Sequence, residues 1–526
     1  MSDAEPSFHH EPFLDLTAAS VISAMRGAIE AERRKFGNTL PLRFGAKEVA
    51  NRRDFSSRNP SNQDEVVAYH SSATAMEVTA AVREARRAFE DWRRLRAEDR
   101  AGFLRALADL ILADRERLAA LLVVEVGKPW REALGEVTAA CDLARWYARD
   151  SLRRAEPRAL MAPPGEVTAY RYLPLGVGVV IAPWNFPLFL TLGMVAAAIA
   201  PGNTVIVKPS SLAPTMGWLL AEMCERIGLP PGVVTCLTGA GGDVGKRLVA
   251  HPSMTFVAFT GSRDVGLQIA RSASVVRRGQ KHIKRVILEL GGKNAVVVDH
   301  TADMQLAAAE TAASAFGYSG QKCAAASRLV LTKGVREQLL SLLFERADAL
   351  RVGDPADPKT DIGPLIEPGA VHRLNAAIAK AKAAGATLLW RSSQPNPDRR
   401  LFVVPTLIGN VTPRTQIAQD ELFGPLLAVL DAADGPAAFA IANATAYGLT
   451  GSVFSRDPEF LDLAVQSLHV GNLYVNRGCT GARVGCHPFG GFGLSGTDSK
   501  TTGPDYLLNF LQAQSLGIRS GSQVSV

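Results

Sequence analysis

The chain has 526 residues, 47% of them hydrophobic and 21% charged, which excludes a disordered or low-complexity protein and exceeds what one core organises, so two or three domains are expected. The net charge of +7 is mild for this length. The densest basic run, Arg83 to Arg100, interleaves Arg86, Arg87, Arg93, Arg94 and Arg96 with Glu84, Glu90, Asp91, Glu98 and Asp99, which is the pattern of a solvated helix face and not of a nucleic-acid surface.

Met1 to Pro6 is acidic and lacks an apolar run, so no secretory signal is expected there. Residues 1–45 are expected to form a helical lead-in. Ala75 to Leu95 and Asp99 to Val126 carry apolar residues at three-to-four spacing and predict amphipathic helices, a pattern that Ala133 to Tyr147 continues. The stretch from Leu173 to Val207 has no charged residue and is long enough to span a bilayer. Pro174, Pro183, Asn185, Pro187 and Pro201 interrupt it, so it reads as a buried strand, a turn, a buried helix and a second buried strand, with no membrane partner.

From Val177 onward the pattern alternates. Strands are predicted at Val177 to Ala182, Thr204 to Lys208, Val233 to Leu237 and Thr255 to Phe259. Helices are predicted at Leu188 to Ala200, Thr215 to Ile227, Val244 to Ala250 and Arg263 to Ser272. Such alternation builds a parallel sheet that binds its ligand beyond the carboxyl ends of the strands. A second α/β block starts near Gly291, with strands at Val296 to Val298 and Leu329 to Leu331 and helices at Met304 to Phe316 and Val335 to Leu350. Arg391 to Arg400 reads as a polar turn region, and Asp498 to Ser515 carries aromatic and aliphatic residues close to the end.

The cysteines are Cys141, Cys224, Cys236, Cys323, Cys479 and Cys486. None forms a Cys-x-x-Cys pair and no histidine cluster completes a metal site, so no metal is expected. Reduced thiols in a cytoplasmic protein are expected, most of them small core residues. Cys323 is the exception. It follows Gly320-Gln321-Lys322, and upstream stands Leu288-Glu289-Leu290-Gly291-Gly292-Lys293-Asn294. A carboxylate beside two glycines and a cysteine after a glycine-led turn suit a thiol nucleophile and its general base. Thr260-Gly261-Ser262-Arg263-Asp264-Val265-Gly266 follows a predicted strand and opens a helix, whose free N–H groups suit a pyrophosphate. Gly491 to Gly496 spells a literal G-x-G-x-x-G but neither follows a clear strand nor opens a helix, so Pro488 to Gly496 is read as a turn-rich loop at a substrate funnel.

Together with Pro183-Trp184-Asn185-Phe186-Pro187, Val207-Lys208-Pro209-Ser210 and Glu421-Leu422-Phe423-Gly424-Pro425, these motifs resemble the aldehyde dehydrogenase superfamily in order and over most of the chain. The resemblance implies an α/β fold of two parallel-sheet Rossmann-like domains plus a small oligomerisation flap. Residues 46–154 and 173–290 would bind the dinucleotide, 291–497 would be catalytic, and 155–172 with 498–526 would join subunits into a homodimer or larger homo-oligomer. It implies Cys323 as nucleophile, the Asn185 amide and the Cys323 N–H as oxyanion donors, and Glu289 as the base that hydrolyses the thioester. A base at 289 favours a free acid over transfer of the acyl group to coenzyme A. NAD is the implied cofactor, with NADP possible, held by Ala182, Pro183, Trp184, Lys208, Ser211, Gly241, Gly245, Gly261, Ser262, Glu421 and Phe423.

Within that superfamily, Glu125 to Trp130, Asn476 to Phe492, Ser495 to Lys500 and Gly503 to Leu507 resemble the branch that oxidises glutamate γ-semialdehyde. The resemblance implies that backbone N–H groups at Gly481 and Ala482 hold a substrate carboxylate, that Phe489 packs on the aliphatic stem, and that Phe186 is a further substrate contact. Three departures stand out: Ala324 where serine is frequent, Arg483 where a small apolar residue is usual, and Ser211 where a glutamate often selects against NADP. Alternatives are another short semialdehyde such as succinate semialdehyde, and a non-catalytic protein on the same scaffold.

Overall fold

Two mostly parallel sheets organise the chain, and the segment that passes from one to the other carries Glu289. The computed structural model describes residues 8–45, 47–394, 400–520 and 522. The first sheet has five strands in the order Val234–Cys236, Thr204–Lys208, Val177–Ile181, Phe256–Thr260 and Arg285–Glu289, all parallel. Its three central strands are buried along their whole length, which explains their unbroken apolar sequences. Helices Phe189–Ile199 and Pro214–Arg226 pack on one face, and Arg263–Ala273 and part of Ala75–Trp92 on the other.

The second sheet has seven strands in the order Thr387–Arg391, Thr406–Gly409, Leu426–Asp431, Ala326–Leu331, Asn294–Val298, Thr450–Phe454 and Asn472–Val475. Only the edge strand Thr387–Arg391 runs antiparallel. The third unit is antiparallel: Leu511–Arg519 pairs with Glu166–Pro174, which pairs with Arg158–Ala159. The expected pair of Rossmann-like sheets with a flap is therefore the observed architecture.

Several elements differ from their sequence expectation. Among the described residues the lead-in is helical only over Ala19–Arg33, while Asn38–Leu40 and Leu42–Phe44 are strands and Phe8 to Asp15 has no regular structure. Phe8, Leu14 and Leu16 nevertheless pack against the core. The pattern from Asp99 to Val126 is two helices, Ala97–Ala113 and Arg115–Val126. Asp114 turns out of the helical conformation between them, and its carboxylate accepts hydrogen bonds from Arg117 and Arg226 at 3.3 and 2.9 Å. The helix expected at Val244 to Ala250 opens with a π turn over Gly241–Gly245. Part of the Arg391 to Arg400 turn region lies outside the described residues. Among the described residues no helix is long and apolar enough to cross a membrane, the Leu173 to Val207 stretch included.

Candidate active site

Cys323 precedes strand Ala326–Leu331 of the second sheet, and Glu289 ends strand Arg285–Glu289 of the first. The backbone in front of the cysteine is strained. Tyr318 and Ser319 have φ of 52° and 57°, and Gly320 follows at 68°. Left-handed backbone at two consecutive non-glycine residues costs on the order of 1–3 kcal/mol each and persists only where neighbours impose it. The Tyr318 hydroxyl donates to the Val126 carbonyl at 2.8 Å, and the Ser319 hydroxyl to that of Gly363 at 2.7 Å. The buried Gln321 amide donates to the Pro364 carbonyl and accepts from the Ile366 N–H. Gly320 has a second reason to be glycine, because a Cβ there would collide with the Gly424 carbonyl.

The buried Asn294 amide fixes the cysteine from the other side. It donates to the carbonyls of Cys323 and Ala325 at 2.7 and 2.9 Å, and its oxygen accepts from the Thr450 N–H at 3.0 Å. Gly292 lets this happen, since a Cβ on it would meet the Cys323 carbonyl oxygen at 2.7 Å. The Asn185 side chain is 4% exposed and donates to the Gln321 carbonyl at 3.0 Å. An amide nitrogen has two donors, so one N–H remains for another acceptor.

Cys323 lines two clefts at once. The larger, of about 1140 Å³, also involves Pro183, Trp184, Asn185, Gly261, Ser262, Gly291, Glu421 and Phe423. The smaller, of about 430 Å³, also involves Phe186, Glu289, Ala324, Gly481, Ala482 and Phe489. Six of the eleven expected cofactor residues therefore face the larger cleft, and all four expected substrate residues face the smaller one. Helix Arg263–Ala273 points its uncapped N-terminus at the larger cleft. Ala182, Lys208, Ser211, Gly241 and Gly245 do not line it. They lie at or beyond the carboxyl ends of neighbouring strands of the first sheet, where the Lys208 stem passes beneath Gly245 and Ser211 is exposed. Burial lowers the Lys208 ammonium to about 8.

Burial dominates the electrostatics. It pushes the Glu289 carboxyl up to about 7, with Lys500 opposing, and its Oε1 has no hydrogen-bond partner. The Cys323 thiol is held well above its ordinary value, first by burial and then by Glu289 and Glu421, while the N–H groups of Ala324 and Cys323 favour the thiolate. Burial likewise raises Glu421 to about 7, and its carboxyl accepts from the Gly292 N–H at 3.0 Å. The G-x-G-x-x-G segment backs the stretch that follows Glu289. Its Ser495 carbonyl accepts from the Leu290 N–H at 2.8 Å and its Ser495 hydroxyl donates to the Gly291 carbonyl at 2.7 Å.

Sequence reasoning missed an ion-pair layer beneath the smaller cleft. Lys322 pairs with Glu132 at 2.6 Å, and the fully buried Lys128 pairs with Glu136 and sits 3.5 Å from the centre of the Phe186 ring. Glu136 also accepts from the N–H groups of Leu188 and Phe189. Lys322 and Glu132 lie 190 residues apart and leave no local signal, whereas Lys128 and Glu136 are only eight apart. His10 and Phe13, on the same cleft, were hidden in a segment expected to be helical. All six cysteines are free thiols; Cys141, Cys224, Cys236 and Cys479 are buried, as expected of core residues, but Cys486 is exposed.

A half-buried thiol shared by a long cleft and a short one, with a raised carboxyl on the short side, defines a class of enzyme in which one cysteine meets two ligands. The model of the aldehyde dehydrogenase family matches residues 47–516, and the chain belongs to that family. It is 43% identical over 509 residues to the 1-pyrroline-5-carboxylate dehydrogenase of Geobacillus thermodenitrificans, covering 97% of this chain and 98% of that one. It is 40% identical over 508 residues to the Bacillus subtilis protein of the same name, with the same coverage. Among solved structures, the Thermus 1-pyrroline-5-carboxylate dehydrogenase with bound NAD superimposes with a TM-score of 0.95 at 42% identity, over 98% of this chain and all of that one. Proline utilization A of Bdellovibrio bacteriovorus also gives 0.95, at 40% identity, but this chain spans about half (54%) of its length.

Proposed function

We propose that the protein oxidises L-glutamate γ-semialdehyde, the open form of 1-pyrroline-5-carboxylate, to L-glutamate with NAD, as in proline catabolism. The observation that carries this reading is the position of Cys323 on the wall shared by the two clefts, with Glu289 on the smaller one. The near full-length identity to dehydrogenases of that substrate supports the choice of aldehyde.

The Cys323 sulfur bonds to the aldehyde carbon and forms a thiohemiacetal. The free N–H of Asn185 and the Cys323 N–H hold its oxyanion; such donors act on charge that develops only in the transition state. A dinucleotide held in the larger cleft would supply the acceptor for the hydride, and the carbon held on Cys323 would then be at the level of a thioester. Glu289 then takes a proton from water, which attacks the thioester and releases the acid. A carboxyl near pH 7 suits a general base, because it is both populated and basic enough at neutral pH.

The larger cleft fits the dinucleotide. The helix N-terminus at Ser262 would meet the pyrophosphate, Glu421 the nicotinamide ribose and Phe423 the nicotinamide side. Lys208, Ser211, Gly241 and Gly245, with Ala182, Pro183 and Trp184, would surround the adenosine half and the route to the thiol. Gly481 and Ala482 would take the substrate carboxylate and Phe186 and Phe489 its stem. Residues 46–154 and 173–290 would then be the dinucleotide domain and 291–497 the catalytic domain. The flap, 155–172 with 498–526, would join a homo-oligomer in the cytoplasm.

The test is a panel of aldehydes and both nicotinamide cofactors, read at the absorbance of the reduced cofactor. Glutamate γ-semialdehyde with NAD is expected to give the highest kcat/KM. A higher value for succinate semialdehyde would sink the amino-acid assignment, and no turnover of any aldehyde would favour a non-catalytic protein.

A further inference from the structure

His10 and Phe13 on the wall of the smaller cleft belong to the segment Phe8 to Thr17, all of which precedes the first helix and lies outside the stretch matched by the family model. It is pinned along its length. Phe8 packs edge-on against Trp146 with ring centres 5.3 Å apart. His10 Nε2 donates to the Val484 carbonyl at 2.8 Å. The Glu11 N–H donates to the Asp142 carboxylate at 2.9 Å, and the Glu11 carboxylate pairs with Arg145. Leu14 and Leu16 turn into the core, whereas Phe13 turns outward, 67% exposed, at the mouth. Over its ring, 5.8 Å from the centre, sits the Arg483 guanidinium.

Arg131 also lines this mouth, exposed and, among the described residues, with no aromatic ring beneath it, but most of the other charged groups there are already engaged. Glu132 holds Lys322, Glu136 holds Lys128, and Asp142 holds the Glu11 N–H. His487 accepts from the Arg483 N–H and contacts Arg477. Among the described residues Arg483 has no carboxylate partner; its contacts leave the guanidinium edge free while the aromatic face beneath it restricts where it can go. A guanidinium seated on a ring keeps its in-plane donors available to a planar carboxylate.

We propose that Arg483, seated on Phe13 of the amino-terminal strap, is a specificity-determining residue that selects aldehydes bearing a carboxylate at the end remote from the aldehyde. The inference rests on the function proposed above and adds to it a recognition element carried by a side chain and placed by a segment far away in sequence. Because the cation stands at the rim, it acts on capture of the anion more than on the chemical step.

The experiment compares glutamate γ-semialdehyde with butanal, an uncharged aldehyde, in the wild type and in Arg483→Gln, Arg483→Lys and Phe13→Ala. Arg483→Gln is expected to lower the ratio of kcat/KM for the semialdehyde over butanal by about three- to tenfold, mostly through KM, the size of a rim-exposed charge contact. Arg483→Lys restores at least half of that loss on a logarithmic scale, and Phe13→Ala moves the ratio the same way but less. Added salt lowers the wild-type ratio more than that of Arg483→Gln. An unchanged ratio in Arg483→Gln, or a lysine variant as poor as the glutamine one, overturns the proposal while leaving the function intact. A wild type that does not oxidise the semialdehyde overturns both.

Discussion

Replacing Glu289 by Gln separates what the carboxyl does for catalysis from what it costs the fold. Burial raises it from 4.5 to about 7, and one of its oxygens is unpartnered. Between those two values the folded protein holds a proton that the unfolded chain releases, so stability falls as pH rises through this window and is lowest above about 7. Each unit is worth ~1.4 kcal/mol, so the burden at pH 8 is on the order of 3 kcal/mol. Glutamine carries none of it. The variant is therefore expected to melt a few degrees higher than wild type at pH 8, with the gap mostly closed at pH 5. In the same variant the steady-state rate falls by ~10²–10⁴-fold, the worth of a positioned general base. A rapid first turnover of reduced cofactor should persist, because thioester formation precedes the step that needs the base. Differential scanning at the two pH values and stopped-flow absorbance read the two effects. A melting gap independent of pH, or a steady-state rate equal to wild type without a burst, would refute the reasoning.

Cys323→Ala should abolish turnover while leaving cofactor binding, measured by fluorescence quenching, within about twofold of wild type, because in the proposed reaction the thiol is the covalent centre and it only borders the larger cleft. Asn185→Ala should lower kcat by ~10²–10³-fold with a smaller change in KM, the signature of a lost oxyanion donor. Gly291→Ala should raise KM for the cofactor more than it lowers thermal stability. A Cβ at Gly291 collides with the end of the Glu421 side chain, which can swing away from its bond to Gly292 at the expense of the cleft. Wild-type kcat should rise with pH through an apparent value near 7, the one reached by Glu289; a profile flat from pH 6 to 8 would remove Glu289 from the rate-limiting release of product.

Much of the fold could be read in the chain because its signals are local. Strands such as Val177–Ile181 and Thr204–Lys208 are apolar on both faces and had to be interior and parallel. Cys323 and Glu289 stood out through their flanking glycines taken together with the resemblance to the aldehyde dehydrogenase family, and Asn185 through that resemblance. The expected helical lead-in did not survive as such, because Phe8 to Asp15 gives up helical hydrogen bonds for contacts with Val484, Asp142 and Arg145, none of which is near in sequence. The continuous helix over Asp99 to Val126 was broken at Asp114 for a comparable reason, a carboxylate taken by Arg226.

The sequence by itself determined which side chains are chemically able to act and in which α/β framework they are carried, since both follow from residue type and short-range periodicity. Only the tertiary structure decided what those side chains are worth. The elevation of Glu289 and of the Cys323 thiol, the clamp of Asn294 on the cysteine loop, and the ion pair of Lys322 with Glu132 depend on desolvation or on partners from remote elements. Desolvation is a property of the packed molecule around a group, and no stretch of neighbouring residues encodes it.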